Sequence, residues 1–408
     1  MEGDGFRRES SRLVSLLVRS LGPQHLQLAE DAVQTAFVRA LEVWPLRGEP
    51  PNRTAWLAKV AYRAAIDLLR RDGVYVPREE LPASPSVTGV FDDAELEMLF
   101  LCCHPSIGPN DQIALILREL CGLGTREIAA SLLLSESALY QRLVRAKRTL
   151  KSVDLGDLSA DCSSRLDSVL HALYLLFNEG YAAHGGGELV SFEICDEAIM
   201  LVDRLAKTSV GDQPAAHALC GLMLLQSSRL STRVDSNGLL CLLEYQDRSL
   251  WDRSRISAGV RRLELASRGS ALSRYHLEAV IALEHALAPS YAATNWSSVV
   301  TAYDDLIRVA PGPVVALNRG IAVAMLRGPE AGLREIESLQ MEGNHLLFSS
   351  RAALMVKKGC VDEAVRDYRK ALELATTTVE RRWLQGRLDS LAGCSGDRGL
   401  PKLHGRSP

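Results

Sequence analysis

The 408-residue sequence predicts an all-α protein. Three observations carry this. Leucine and alanine are abundant while aromatics make up only 5% of the chain. Apolar residues recur three and four positions apart in segment after segment, the spacing of one helix face. No run of alternating β-branched residues, the mark of a strand, is present. At 47% hydrophobic the chain can build real cores, and its length calls for two or three domains.

Residues 6–45 read as two helices. In the second, LQLAEDAVQTAFVRALEVWP, the residues Leu28, Ala32, Phe37, Ala40, Leu41 and Trp44 form the expected buried side. Glu30, Asp31, Gln34, Arg39 and Glu42 point mostly outward, and Pro45 is expected to end the helix. A Gly/Pro loop follows. The next helix, 53–71, carries Arg53, Lys59, Arg63, Arg70 and Arg71 against Asp67 alone. Basic side chains interleaved with Trp56 and Tyr62 suit a groove that tracks a nucleic-acid backbone and stacks unpaired bases. The plainer reading of Trp56 is a core residue.

Residues 73–92 hold three prolines, two glycines and three serine or threonine residues, and read as a linker. Helices are expected from Asp93 to Cys103 and over 110–121. Then comes TREIAASLLLSESALYQRLVRAKRTLK, 125–151. Thr125 and Ser135 can cap two short helices joined by a tight break. Ile128, Ala129 and Leu132 share one face of the first helix. Leu139, Leu143, Ala146 and Leu150 give the second a buried face. Ser137, Gln141, Val144, Arg145 and Arg148, with Tyr140 and Lys147 beside them, form the opposite face. That is how a helix-turn-helix offers its reading helix to a major groove. An ordinary helical hairpin with a solvated basic face is the plainer alternative.

Charge supports the first reading. The net charge of −3 comes entirely from residues after 151, since residues 1–151 hold 19 basic and 19 acidic side chains. Within 125–151, six basic residues face two acidic ones. Local positive charge on a neutral chain fits selective contact with nucleic acid. The nine cysteines form no C-x-x-C, and with no signal peptide and no long apolar run they point to a reducing cytoplasm and no membrane. Cys102-Cys103-His104 has no second ligand pair at metal spacing, so no metal or cofactor is expected. No nucleophile–base constellation is placed by any motif, so no catalytic residues and no enzyme activity are expected.

After a polar stretch, 152–164, helices continue to about Leu391. RAALMVKKGCVDEAVRDYRKALELAT (351–376) fits a tetratricopeptide helix pair, with Gly359 in the turn and Ala364, Tyr368 and Ala371 at packing positions. Residues 301–328 and 196–202 read as decayed partners. Such hairpins can offer a concave face to a peptide or protein partner, or can simply pack. Gly185–Gly187 read as a flexible loop. EYQDRSLWDRSRI (244–256) could pin a long loop through ion pairs or contact the N-terminal modules. His171, His184, His276 and His285 read as packing or surface residues.

AEDAVQTAFVRAL, AWLAKVAYRAAIDLLRR and LRELCGLGTREIAASLLLSESALYQRLVRAKRTL, in this order and separated by a linker, resemble the two-domain body of an extracytoplasmic-function sigma factor, a bacterial RNA polymerase specificity subunit. CCHP followed by LYLLFNEGY (173–181) resembles the subgroup with a helical, tetratricopeptide-like C-terminal extension. The resemblance implies region 2 at 6–72, a linker at 73–92, region 4 at 93–151 and the extension at 164–391.

It implies docking of Asp31, Gln34 and Arg39 on the β′ clamp helices of core polymerase. It implies −10 reading by the loop near Leu46–Thr54 and the following helix, with a separated strand and a flipped base. It implies −35 reading by Tyr140, Gln141, Val144 and Arg145. The family's common glutamate after Gln34 is Thr35 here. Its frequent asparagine is Arg63, two nearby positions that are often basic are Tyr62 and Ala64, and Tyr140 also replaces an often basic residue. A regulatory role for the extension follows from the fusion. Two rivals remain at this stage: a helix-turn-helix regulator acting on duplex DNA without polymerase, and a scaffold built on a decayed sigma body.

Overall fold

A computed structural model describes residues 3–71, 73, 93–132, 134–153, 155–181, 192–235, 241–341 and 343–394. The expected linker, the Gly185–Gly187 loop and His184 lie outside them. Eighteen α-helices and four short 3-10 turns make up the secondary structure of the described residues, with no strand among them. None of these helices is long and apolar enough to cross a membrane. The chain divides into two compact units. One comprises residues 1–186 and 190–216, and the other residues 187–189 and 217–408.

The first unit starts with α1 (Gly3–Leu21), α2 (Leu26–Arg47) and α3 (Arg53–Arg71), which pack mutually. Their core is Leu13, Leu17, Val33, Phe37, Leu57 and Leu69, all buried. Pro45 does not end α2, which runs on to Arg47. A proline forfeits one bond to the carbonyl four residues back, and in a last turn that bond is the least costly to lose. The helix stops instead at Gly48, whose φ of +79° favours glycine and whose N–H donates to the Trp44 carbonyl. Leu41, expected inside, is 76% exposed. Asn52 then caps α3 by accepting from the Ala55 N–H at 2.9 Å.

α4 (Ala94–Cys102), α5 (Pro109–Glu119), α6 (Thr125–Ser131) and α7 (Glu136–Leu150) follow, close to their expected bounds. Asp93 caps α4 and Ser135 caps α7. Thr125 is not a cap. It is the first residue of α6, and Gly124 holds the cap position, its carbonyl accepting from Ile128 and its N–H donating to the Glu127 carboxylate at 2.7 Å. The polar stretch after 151 is also shorter than expected, because α8 (Leu155–Tyr181) begins at Leu155. α8 and α9 (Phe192–Leu205) form a hairpin packed on α4, and α8 also touches α5. Gly180 permits the close crossing: a Cβ there would lie 2.9 Å from the Cys195 nitrogen and the Ile194 side chain. The segment 196–202 is thus part of the first unit.

α1 packs against α4 and α5, so the two modules expected on either side of the linker lie together in this unit. Arg19 donates to Glu97 at 2.7 Å, with both side chains nearly buried, and Arg7 reaches Glu127 at 3.1 Å. Gly122 (φ +65°) permits the approach, since a Cβ there would meet the Arg7 carbonyl and the Ser11 hydroxyl at 3.1 Å.

The second unit holds most of α10 (Pro214–Ser227), then α11 (Arg253–Ala266), α12 (Arg274–Leu287), α13 (Trp296–Val309), α14 (Pro313–Arg327), α15 (Pro329–Glu337), α16 (His345–Lys358), α17 (Val361–Leu374) and α18 (Thr378–Cys394). From α11 onward each helix packs on the next. Gly359, at φ +89°, ends α16 in the left-handed region, and Ala364, Tyr368 and Ala371 are fully buried, as their spacing predicted. The 244–256 segment is pinned by hydrogen bonds as well as charge. Trp251 is buried and donates from Nε1 to Thr232 Oγ1 at 3.1 Å, and Asp252 caps α11. His276 closes a capping box with Ser273, and His285 is half-buried against Tyr291 and Trp296. Burial, then repulsion from Arg229 and Arg248, pushes His285 down to about 4.

Candidate nucleic-acid interface

α7 divides into two faces as its pattern requires. Leu139, Leu143, Ala146 and Leu150 are buried. Ser137, Tyr140, Gln141, Val144, Arg145 and Arg148 are exposed, and Tyr140 is 66% accessible. The Ser135 hydroxyl accepts from the Ala138 N–H and fixes the entry of the helix. The face therefore presents two guanidinium groups, an amide and an aromatic ring, groups whose chemistry suits base edges and phosphate.

Two of the six basic residues of 125–151, one of them the Lys147 expected beside this face, do not belong to it. Arg142 pairs with Asp111 at 3.3 Å. Lys147 turns inward, 2.7 Å from Glu30 of α2 and 3.0 Å from Glu119 of α5. Its position invited this, lying four residues after Leu143 and three before Leu150, on the edge of the buried face. Glu30, expected to point mostly outward, belongs to this cluster, with Arg118 a further 3.9 Å away.

One ammonium serves two carboxylates here. Burial, followed by the charge of Glu30, raises the Glu119 pKa. Burial alone would lower Lys147, but Glu119 and Glu30 outweigh it and hold the ammonium charged. Removing one member of such a buried set leaves an uncompensated charge.

In the first module, Arg53, Lys59, Arg63, Arg70 and Arg71 are all exposed along α3. Trp56 is half-buried. It meets Trp44 edge-on with ring centroids 5.5 Å apart, and the Arg53 guanidinium lies 6.0 Å from the Trp44 centroid while pairing with Glu49. Trp56 thus serves the packing while keeping an accessible edge. On α2, Asp31, Gln34 and Arg39 are exposed, and Thr35 bonds back to the Asp31 carbonyl. Val38 and Leu41 add an exposed apolar strip to this face, at 55% and 76% accessible. Helical spacing assigned Leu41 to the core, so the strip was missed; its signal was an apolar residue one position past the Ala29, Ala36 and Ala40 line.

The α8–α9 hairpin contacts both modules. Arg204 of α9 donates from Nε to Asp93 at 2.8 Å and from Nη2 to Glu95 at 2.8 Å. Glu197 of α9 lies 3.5 Å from Arg8 of α1. Burial is the largest influence on Glu197, and with Glu95 nearby it outweighs Arg8, so the pKa is pushed up to about 7.

The sign of the pH effect follows. A carboxylate raised from 4.5 to about 7 binds more protons folded than unfolded between those values, so the packed state loses stability as pH rises through that window. The urea midpoint is expected to fall between pH 5 and pH 7.5, and Glu197→Gln should flatten the profile. Parallel profiles for the two proteins would contradict this assignment.

Among the described residues no group of His, Cys, Asp and Glu is arranged to hold a metal ion. Cys102 and Cys103 are fully buried, and burial raises both thiols.

Comparison with known proteins agrees with this geometry. The family described as sigma-70 region 2 matches residues 6–74, and sigma-70 region 4 matches 97–150. A family of unknown function (DUF6596) matches 165–267. The chain is 37% identical over 386 residues to an uncharacterized protein of Rhizobium meliloti, covering 90% of this chain and 91% of that one. It is 26% identical over 153 residues to the ECF RNA polymerase sigma factor SigE of Mycolicibacterium smegmatis, covering 36% of this chain and 58% of SigE. It is 28% identical over 159 residues to the probable ECF RNA polymerase sigma factor SigI of Mycobacterium tuberculosis, covering 36% of this chain and 52% of SigI. No solved structure matches. With sigma-70 regions 2 and 4 in order and ECF RNA polymerase sigma factors among its relatives, residues 6–150 of the chain form a sigma-70 region 2 and region 4 body similar to that of the extracytoplasmic-function sigma factors.

Proposed function

We propose that this protein directs promoter-specific transcription initiation in the bacterial cytoplasm, with no cofactor and no covalent chemistry of its own. The observation that carries the reading is the presence, in one chain, of an exposed polar and basic face on α7 and an exposed face with an apolar strip on α2. Region 4 (93–151) reads the −35 element as duplex through Tyr140, Gln141, Val144 and Arg145, with Arg148 on phosphate. Region 2 (6–72) holds the −10 strand open through Arg53, Trp56, Lys59, Arg63, Arg70 and Arg71. Asp31, Gln34 and Arg39, joined by Val38 and Leu41, engage the clamp helices of core polymerase. The docking face separates this reading from a regulator that acts on duplex DNA alone. Leu41→Asp is expected to weaken binding to core polymerase at least tenfold while leaving thermal stability unchanged, because the side chain is already in water. Undiminished binding would remove the docking role.

The chain after residue 151 regulates availability of the two modules. Elements 25 base pairs apart lie about 85 Å apart along B-DNA at 3.4 Å per step. α7 and α3, which carry the DNA-contacting side chains, are about 22 and 28 Å long, and together they fall short of that separation, so the packed unit cannot span both elements. Region 4 has to leave region 2, breaking the Lys147 cluster, and the α8–α9 hairpin opposes that step through Arg204 and Glu197. The helices of the second unit, within the tetratricopeptide-like stretch 164–391, are a partner-binding region that communicates the signal.

A further inference from the structure

In the second unit every helix from α12 to α18 packs on its successor, so alternate helices share a face. One segment of the chain touches that face on helix after helix. Arg248 donates to the Ala288 carbonyl at 3.1 Å and to the His285 carbonyl, capping the end of α12. Glu244 reaches Lys357 of α16 with both carboxylate oxygens, at 3.2 and 3.3 Å, and the same ammonium lies 3.8 Å from the Met325 sulfur of α14. The Arg387 guanidinium of α18 lies against the hydroxyls of Tyr245 and Tyr368. A stretch of five residues thus contacts α12, α16 and α18, and reaches α14 only through Lys357, as a bound peptide lies across a stack of helical hairpins.

The segment is fixed unevenly. Gln246 is buried and donates to the Cys241 carbonyl at 2.9 Å, and Trp251 is buried at its far end. The Glu244–Tyr245 tip is held by contacts open to water: the Glu244 and Lys357 side chains are 35% and 39% accessible, and Tyr245 is 49% accessible. Ion pairs at such exposure are weak, and the tip is a single 3-10 turn, Leu243–Tyr245. It can lift without disturbing either anchor.

We propose that this face is a peptide-binding groove filled in cis by Glu244–Tyr245, and that it receives a segment of a protein partner carrying a carboxylate directly followed by an aromatic residue. The incoming carboxylate takes Lys357 and the incoming ring takes Arg387. This rests on the reading of the second unit as the partner-binding region, and its test needs no polymerase or promoter, so it fails or succeeds apart from that reading.

The probe is a synthetic peptide of residues 242–248, LLEYQDR, titrated by calorimetry into the full chain. The Glu244→Ala/Tyr245→Ala variant, whose groove is vacated, is expected to bind it at least tenfold more tightly than the unaltered protein. Adding Lys357→Ala should weaken binding by up to about fivefold, and a peptide with alanine at both the Glu and Tyr positions should not bind. A folded double variant that ignores the peptide, or takes both peptides equally, overturns the proposal. Hydrogen exchange on the unaltered chain provides an independent check. Amides 243–245 are expected to exchange at least a hundredfold faster than those in the middle of α16 and α17, and protection equal to those helices would make the segment a permanent part of the fold and overturn the proposal.

Discussion

Replacing Arg145 with alanine is expected to lower transcription from the cognate promoter by about 5- to 150-fold, the equivalent of the ~1–3 kcal/mol carried by a bidentate base contact. Arg145 is exposed, and α7 is held by four buried residues on its other side, so the variant should fold as before. Its loss should be confined to promoters carrying the base it reads. Arg148→Ala provides the contrast. A phosphate contact carries no sequence information, so that variant should weaken all promoters alike and reduce the salt slope of binding by about one. Runoff transcription on a promoter and its −35 substitutions distinguishes the two. Equal losses on every template would place Arg145 on the backbone.

Arg204→Glu should act in the opposite direction. It sets a third carboxylate against Asp93 and Glu95, where the native guanidinium bridges both. The pair is only partly buried, so a modest effect is expected. A shift of ~1.4 kcal/mol in the balance between packed and open states corresponds to about a tenfold change in the open population, and transcription should rise by that order while the protein expands in solution scattering. Glu197→Gln should not reproduce the gain, because a neutral amide resembles the protonated carboxyl that burial already favours. Unchanged transcription by Arg204→Glu would mean that the α8–α9 hairpin does not govern opening.

The helices were legible because their signals are local. Ser135, Asp93 and Gly359 mark ends through their own side chains or backbone, and the Leu139–Leu150 series shows its face by spacing alone. The exposed face of α7 was legible for the same reason: the core pattern of the helix leaves it bare. The Glu30–Lys147–Glu119 cluster was not legible, because it joins residues 117 positions apart and each looks like a surface charge in its own helix. Leu41 failed in the opposite sense. Periodicity says which residues share a face, but it cannot say which apolar residue at the margin is left uncovered. Pro45 and Thr125 were misjudged by two residues and one residue, since a helix end depends on which backbone groups find partners.

The most direct test of the sigma-factor reading is transcription in vitro with core polymerase and a pool of genomic fragments. New transcripts are expected that require this protein, share one −35 and one −10 element, and disappear with Arg145→Ala. Tight, salt-sensitive binding to duplex DNA by the protein alone, with no transcript added to those of core polymerase even after Arg204→Glu, would contradict that reading.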